Sequence, residues 1–296
     1  MALSIHTNYS SLVTQTNLSK TNNALGTNQQ RLGTGLRINS AADDAAGLQI
    51  ATRLNAQSRG MAVAMRNTND AVSLLQTAEG AFNEMTDILQ RMKDLATQGA
   101  NGTNSTEDLD ALQAEYDQLG AEMGNIMDNT TYAGAALFSK DNSTGKFAAA
   151  VSFQIGATAA ETLSLDLTAA GTDSIQTLTD ALDGMSDAYT NGITAGTPGT
   201  EITGSANATI DLISTALDAI GSLRAEFGAT INRLNHTNNN LANMRDNTEM
   251  AKGRIMDADF ASESATMSKN SMLLQSGISM LKQAGQMPGM VMSLLG

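Results

Sequence analysis

Apolar residues recur along three segments at steps of three and four, the spacing that places them on one face of an α-helix. The first series spans residues 61–96 and repeats one step of three between Leu75 and Ala78, which is typical of a coiled-coil seam with a local phase slip. Because each stripe needs a partner to cover it, the three series predict an elongated antiparallel bundle of three amphipathic helices. Their members are Met61, Met65, Thr68, Val72, Leu75, Ala78, Phe82, Met85, Leu89, Met92 and Ala96, then Leu109, Leu112, Tyr116, Leu119, Met123 and Ile126, then Ile210, Ile213, Leu217, Ile220, Phe227, Ile231, Leu234 and Leu241.

The period changes to two between the second and third series, which predicts a small β-hairpin lying on the bundle. Residues 171–203 follow, with weak periodicity, several glycines and one of the two prolines, so we expect a short, solvent-exposed variable insert there. The second helix begins after NGTNSTED, where Ser105 with Asp108, or Asn104 with Glu107, supplies a capping box. The alternating hairpin positions are Val151, Phe153 and Ile155, then Leu163, Leu165 and Leu167.

The two ends of the chain differ from this bundle in charge. Residues 1–42 contain three bases and no acid, and residues 261–296 contain a single acid, Glu263, although the whole chain has a net charge of −13. The ends are rich in Ser, Thr, Asn and Gln, with isolated aliphatic residues between them. An unpaired carboxylate is costly where helices pack densely, so the scarcity of acids indicates ends that become buried.

The apolar residues of the two ends are too sparse to fold either end alone. A fully buried Leu contributes about 1.5 to 3 kcal/mol, whereas ordering each residue costs about 1 to 2 kcal/mol in backbone entropy. The complementary positions of the first segment are mostly polar, as at Thr21 and Asn28. We therefore expect the ends to pair as two helices that order only when many copies stack. The expected packing positions are Leu18, Leu25 and Leu32 in the first segment and Leu274, Ile278, Leu281, Leu294 and Leu295 in the last.

Composition excludes several classes of function. The chain has no Cys, so it has neither a disulfide nor a thiolate site, and its acidity argues against nucleic acid as a partner. The first residues contain no basic leader followed by an apolar run, so the sequence predicts no cleavable signal peptide. Its apolar stretches are too short for a membrane span. His6 and His236 lack zinc-ligand spacing, and Gly-Thr-Gly at 33–35 lacks the context of a phosphate loop. We expect no enzyme activity, cofactor or metal, and we interpret the acid pairs as helix caps or solvated faces: Asp43/Asp44, Asp108/Asp110 and Asp257/Asp259.

Four segments together resemble one known family. They are ALGTNQQRLGTGLRINSAADDAAGLQIATRL at 24–54, AEGAFNEMTDILQRMKDLATQGANGTNS at 78–105, a long stretch at 231–277 and the terminal VMSLLG. The chain is similar here, in register over about its first 170 and last 90 residues, to bacterial flagellin. That resemblance implies a secreted structural subunit that self-assembles into the extracellular flagellar filament for motility.

The resemblance also implies a domain layout and a set of partners. Residues 1–42 and 258–296 would form the inner filament tube, residues 43–170 and 204–257 the outer helical bundle with its hairpin, and the insert would face solvent. Flagellins are exported unfolded and add at the distal tip as a homopolymer. The expected partners are therefore other copies, an export chaperone, and the cap and hook-junction proteins, with no nucleic acid or membrane.

LRINSAADDAAG at 36–47 contains the first two acids of the chain. Ser40 and Asp43 have the spacing of a capping box, and we expect Asp43 and Asp44 in the first turn of the next helix, where carboxylates suit the positive end of its dipole. The pattern alone fits an ordinary helix start as well as a junction between domains. The resemblance favours the junction.

LQRMKDLATQ at 89–98 resembles the flagellin surface that an animal Toll-like receptor senses. The matching residues are Leu89, Gln90, Arg91, Leu95 and Gln98, with Glu115 on the next helix. The stripe places Leu89 in the bundle seam, whereas Gln90 and Arg91 should point outward.

Two other interpretations of the whole chain remain: a flagellin-like hook-filament junction protein and a soluble coiled-coil binding module.

Overall fold

The computed structural model describes residues 8–140, 143–168, 175–192 and 199–294. The fold is mainly α-helical, as predicted, with two small antiparallel sheets. None of the helices, over the described residues, combines the length and apolarity needed to cross a membrane. The elements are α1 Tyr9–Thr34, α2 Ala45–Gly99, α3 Thr106–Asn129, β1 Thr131–Tyr132, β2 Ala135–Ala136, a 3₁₀ turn Lys146–Ala148, β3 Val151–Gln154, β4 Thr162–Leu165, α4 Ile175–Met185, α5 Asp187–Asn191, α6 Glu201–Met256 and α7 Phe260–Leu294.

The chain divides into two compact units, residues 59–245 and residues 1–58 with 246–296. The core of the 59–245 unit is built on the three predicted stripes, because most of their members are buried or pack against buried neighbours. Phe82 lies at its centre, with ring centroids 4.9 Å from Phe138 and 5.6 Å from Phe227. The predicted bundle helices are thereby confirmed as α2, α3 and α6, although α6 is interrupted at Ser205, whose φ of −156° and ψ of 55° are not helical.

The start of α3 confirms the predicted capping box at Ser105. The Ser105 hydroxyl accepts from the Asp108 backbone N–H at 3.2 Å, and the Asp108 carboxylate accepts from the Ser105 backbone N–H at 3.0 Å. These bonds satisfy two of the donors that a helix start leaves without partners. The Ser105 hydroxyl, which also donates to this carboxylate, lowers the pKa of Asp108, and the Ser105 backbone lowers it further.

The predicted β-hairpin is confirmed as β3 and β4, paired from Val151 with Leu165 to Gln154 with Thr162. Leu163 and Leu165 are buried on one face, and the residues between them are exposed, as a period of two requires. A second, shorter hairpin joins β1 and β2. Its two-residue loop has positive φ at both Ala133 (51°) and Gly134 (80°), the geometry of a tight hairpin turn. Strands of two residues carry no detectable period, so the sequence did not predict this hairpin.

The prediction of a solvent-exposed insert at 171–203 is wrong for its described helices. The buried face of α4 joins the core of the 59–245 unit, and Leu182 is 0% exposed. Burying such a face stabilises a helix of this length, which would be marginal alone. The Tyr116 hydroxyl fastens α3 to this segment by donating to the Met185 carbonyl at 2.9 Å. The buried apolar residues of the segment are Ile175, Leu178, Ala181, Leu182, Met185, Ala188 and Tyr189.

In the other unit α1 and α7 pair side by side in opposite directions. The Asn8 side chain donates to the Ala284 carbonyl at 2.6 Å at one end of the pair, and Ala258 N–H donates to the Gly35 carbonyl at 2.9 Å at the other. Gly35 ends α1 with a φ of 72°, the left-handed conformation that glycine adopts without strain. The predicted pairing of the two ends is therefore present within a single chain.

Candidate functional site: the terminal helix pair and the α2–α3 surface

The predicted packing positions of the ends fall into three groups. Leu18, Leu25, Leu32, Leu274 and Leu281 are half-buried along the α1–α7 pair, whereas Ile278 is 47% exposed. Leu294 is the last residue of α7, and Leu295 lies outside the described residues. The two helices thus cover one stripe of each other and leave other apolar positions uncovered.

Large apolar side chains remain exposed on several faces of this pair. Phe260 is 64% exposed, Met272 is 65% exposed and Met280 is 62% exposed, and on α1 Leu12 is 58% exposed. At 100° per residue, Phe260, Met272 and Met280 lie on three different sides of α7. A helix with apolar residues on all sides is one that becomes buried on all sides. The α1–α7 pair therefore exposes apolar surface of the kind that proteins bury against a partner.

One polar side chain lies inside the pair. Asn28 is 6% exposed, and with its amide nitrogen turned toward Glu263 it donates to the Glu263 carboxylate and to the Ala24 carbonyl, both at 3.0 Å. Its oxygen accepts from the Asn270 side chain at 3.2 Å and from the Met267 backbone N–H at 3.3 Å. Every hydrogen-bonding group of the amide is therefore satisfied, as a buried amide requires.

The turn after α1 differs from the prediction in one respect. Asp43 accepts from the backbone N–H of Ser40 at 2.9 Å and of Asn39 at 3.1 Å, and these bonds lower the pKa of its carboxyl group. Asp44 accepts from the Gly47 N–H at 2.8 Å. Both acids precede α2, which begins at Ala45, so their predicted place in its first turn is wrong. The reason is that Asp43 closes a separate turn and Asp44 caps the helix from outside.

The same turn is fastened to the end of α6. Arg37 N–H donates to the Met256 carbonyl at 2.6 Å, and the Arg37 guanidinium donates to the Ile255 carbonyl at 3.0 Å. Leu36 and Asp257 form an isolated antiparallel bridge. All these residues belong to the unit of residues 1–58 and 246–296, so the domain boundaries predicted at residues 42 and 258 stay a prediction.

The second predicted surface lies on α2 and α3. Gln90, Arg91 and Gln98 are exposed, and Arg91 donates to the Glu115 carboxylate from Nε at 2.8 Å and from Nη2 at 2.6 Å. Leu89 is 0% exposed, as its place in the stripe predicted, and Leu95 is 1% exposed, so both side chains lie in the core beneath this surface. The buried face of α2 is wider than the predicted seam, and Leu95 lies on this face beside the seam.

No chemical centre emerges among the described residues. They contain no cluster of three or more His, Asp or Glu residues able to hold a metal ion. All three acid pairs contribute helix caps instead: Asp44 caps α2, Asp108 completes the capping box of α3, and Asp259 accepts from the Ala261 backbone N–H at 3.0 Å.

The fold and these surfaces define a helical subunit with an uncovered terminal pair, and comparisons with known proteins give its family. Residues 5–143 match the bacterial flagellin N-terminal helical region, and residues 210–295 match the bacterial flagellin C-terminal helical region. The chain belongs to the bacterial flagellin family. It is a structural protein, a subunit of the extracellular flagellar filament.

Two flagellins agree with this assignment along the whole chain. Flagellin A of Vibrio anguillarum is 37% identical over 385 aligned positions, which cover 100% of both chains. Polar flagellin C of Vibrio parahaemolyticus is 35% identical over 390 positions, again covering 100% of both. A crystal structure of Bacillus cereus flagellin is 33% identical, covering 60% of this chain and 88% of that chain, with a TM-score of 0.46. The sequence alignments are longer than the 296 residues of this chain, so these relatives have residues without a counterpart here.

Proposed function

We propose that α1 and α7 form the inner tube of the filament and that this pair is completed only by neighbouring subunits. The observation that carries the proposal is the exposure of large apolar side chains on several faces of the pair. Covering an exposed Phe, Leu or Met contributes about 1.5 to 3 kcal/mol, and each subunit repeats the gain. The proposed packing residues are Leu18, Leu25, Leu32, Leu274, Ile278, Leu281, Leu294 and Leu295.

Residues 43–170 and 204–257 supply the outer part of each subunit in this proposal, and most of them belong to the 59–245 unit. Its buried aromatic and aliphatic core allows it to fold without neighbours, whereas the terminal pair gains most of its burial from assembly. The turn at Ser40, Asp43 and Asp44 would connect the two parts, since it ends one helix and caps the next. An unfolded chain exported to the distal tip, with a chaperone, a cap and hook-junction proteins as partners, is compatible with ends that order last.

A recognition role for the α2–α3 surface is a second proposal, supported by exposure and chemistry. Gln90, Arg91, Gln98 and Glu115 are exposed polar residues on two adjacent helices. Arginine has a planar, multi-donor head group that is enriched at interface hot spots. We propose that an animal flagellin-sensing Toll-like receptor binds this polar surface, without direct contact by the buried Leu89 and Leu95. Neighbouring subunits would cover it, so monomers would signal and filaments would not.

Seeded polymerisation tests the assembly proposal. Purified full-length chain is mixed with short filament fragments, and the products are imaged by electron microscopy; long tubes are the expected result. Short rings would instead favour a hook-filament junction protein. The absence of any polymer would favour a binding module whose ends are linkers.

Truncation of residues 290–296 provides the matched variant. It should leave circular dichroism and the thermal transition of the 59–245 core unchanged while abolishing growth on seeds. A truncated chain that grows tubes at the parent's rate would show that the end of α7 does not close the inner tube.

A further inference from the structure

Apolar packing alone does not determine how α1 aligns along α7. The half-buried leucines of α1, Leu18, Leu25 and Leu32, recur every seven residues, and α7 repeats Met267, Leu274 and Leu281 at the same interval. Sliding one helix by seven residues would therefore restore the same relative placement of the two apolar rows. A uniform heptad repeat of this kind leaves the register of the pair weakly specified.

Asn28 breaks this repeat. It is the one buried residue of α1, and all its partners outside its own helix belong to α7: Glu263, Met267 and Asn270. A shift of seven residues would move Asn28 to the level of Leu274 or Phe260 and leave only one of its two polar α7 neighbours, Asn270 or Glu263, beside it. The buried amide would then lose part of its hydrogen bonds, and leaving groups of a buried amide unpaired disfavours an arrangement by about tenfold or more.

The charged pair of Glu263 and Arg31 beside Asn28 also favours the observed register. Glu263 is the single acid of residues 261–296, and its carboxylate lies 3.8 Å from Arg31 Nη1, with the two side chains 16% and 29% exposed. Arg31 lies one turn beyond Asn28 on α1, so in the observed register the carboxylate contacts both residues.

We propose that Asn28, acting with Glu263 and Arg31, sets the register of the α1–α7 pair and thereby the subunit geometry of the inner tube. Its role is positional, because it selects one of several alignments that pack equally well. A buried Asn in a coiled-coil seam fixes alignment in this way while lowering stability. The inference rests on the proposed assembly, since the register is measured in the filament.

The absence of Cys from the chain allows introduced cysteine pairs to report the register. Leu18→Cys with Gly277→Cys reports the observed alignment, because a Cβ at Gly277 would lie 2.9 Å from Leu18 Cδ1. Leu18→Cys with Ala284→Cys reports an alignment shifted by one heptad. Each pair is placed in the full-length chain and oxidised in filaments that contain a minor fraction of reporter chain. Crosslinks within one chain are then counted on a non-reducing gel.

The test variant is Asn28→Leu, and the matched control is Thr21→Leu. Thr21 lies one heptad earlier on α1, and its hydroxyl donates to the Asn17 carbonyl of its own helix at 2.9 Å, so this hydrogen bond is made within α1 and not to α7. We expect Asn28→Leu to raise the shifted crosslink by about tenfold over the parent. Thr21→Leu should leave that crosslink at the parent's value. Glu263→Ala, a second variant, should raise it by a smaller factor.

Stability separates this role from ordinary packing. Asn28→Leu should leave the melting temperature of the filament unchanged or higher, because an apolar residue replaces a buried amide. Equal shifted crosslinks in Asn28→Leu and Thr21→Leu would overturn the inference. If the unsubstituted chain forms no tubes on seeds, the assembly proposal itself is wrong. If it forms tubes and Asn28→Leu does not change the register, only the inference about Asn28 is wrong.

Discussion

Arg91 on α2 and Glu115 on α3 form an ion pair with 2.6 Å between Nη2 and Oε1, although their side chains remain 53% and 45% exposed. An exposed pair of this kind contributes about 0.2 to 1 kcal/mol, because water screens the charges. The pair therefore presents a fixed guanidinium on the surface without being essential to the core. Replacing Arg91 can therefore test receptor recognition without unfolding the protein.

Arg91→Ala should weaken receptor signalling by monomers at least tenfold, since a hot-spot side chain contributes about 2 kcal/mol or more. The measurement is a dose–response curve in receptor reporter cells, with circular dichroism to establish folding. Arg66→Ala, at an exposed arginine on the same helix, is the matched control and should signal like the parent. A folded Arg91→Ala variant with the parent's dose–response would remove Arg91 from the recognition surface.

Amide exchange should differ between the monomer and the filament at the two ends of the chain. In the monomer we expect little protection at residues 1–42 and 258–296. The helix pair buries few apolar side chains compared with the number of residues that it must order. In the filament the same amides should exchange slowly. Equal protection in the two states would contradict assembly-coupled ordering.

Leu182→Ala should lower the free energy of unfolding by about 2 to 5 kcal/mol, the usual cost of a cavity at a buried leucine. Leu182 is 0% exposed, and chemical denaturation followed by circular dichroism measures the change. Gln176→Ala, at an exposed position of the same helix, should change it by less than about 0.5 kcal/mol. Removing residues 173–201 should likewise destabilise the core, contrary to what an exposed insert would allow. A Leu182→Ala variant as stable as the control would place α4 outside the core.

Methionine oxidation should map the uncovered faces of α7. In the monomer, dilute peroxide should convert Met272 and Met280, which are 65% and 62% exposed, well before Met85 and Met92, which are 0% exposed. Peptide mass spectrometry measures all four in one digest, so the buried residues are internal controls. In the filament we expect Met272 and Met280 to become protected. Rapid oxidation of these two in intact tubes would show that neighbours leave them uncovered.

Acid should weaken the start of α3. The pKa of Asp108 is lowered in the folded chain, so its contribution to stability is present above the ordinary value of 3.8 and is lost as the pH falls through the lower folded value. Ser105→Ala should therefore lower the free energy of unfolding at neutral pH, and its difference from the parent should shrink below pH 3.8. Denaturant titrations at several pH values measure this difference. A difference that stays constant through the acid range would contradict the cap.

The sequence predicted the long helices well because their seams repeat over many turns. Met61 and Phe82 belong to one stripe, which continues through its single phase slip, and both are buried. The helix α4 was missed although Leu178 and Leu182 have helical spacing, because its short stripe lies among glycines and acids that indicate a loop. Leu95 was named from the resemblance and not from the stripe, and its burial shows that the buried face of α2 is wider than a seam drawn as a single line.

The polar contacts were less predictable. The resemblance pointed to both Arg91 and Glu115, but their ion pair required the structure. Asn28 and Glu263 are separated by more than two hundred residues, and no periodicity links an amide in one helix to a carboxylate in another. Their contact depends on the alignment of α1 on α7, which the heptad repeat leaves open.

The pairing of the first helix with the last has a consequence for the order of folding. Asn8 and Ala284 are 276 residues apart, and closing a flexible loop of that length costs about 5 kcal/mol in chain entropy. When the 59–245 unit folds first, Met61 packs with Leu241 and the remaining loop becomes short. The chain should therefore close from its middle outward. The α1–α7 pair therefore forms last, after the 59–245 unit has folded.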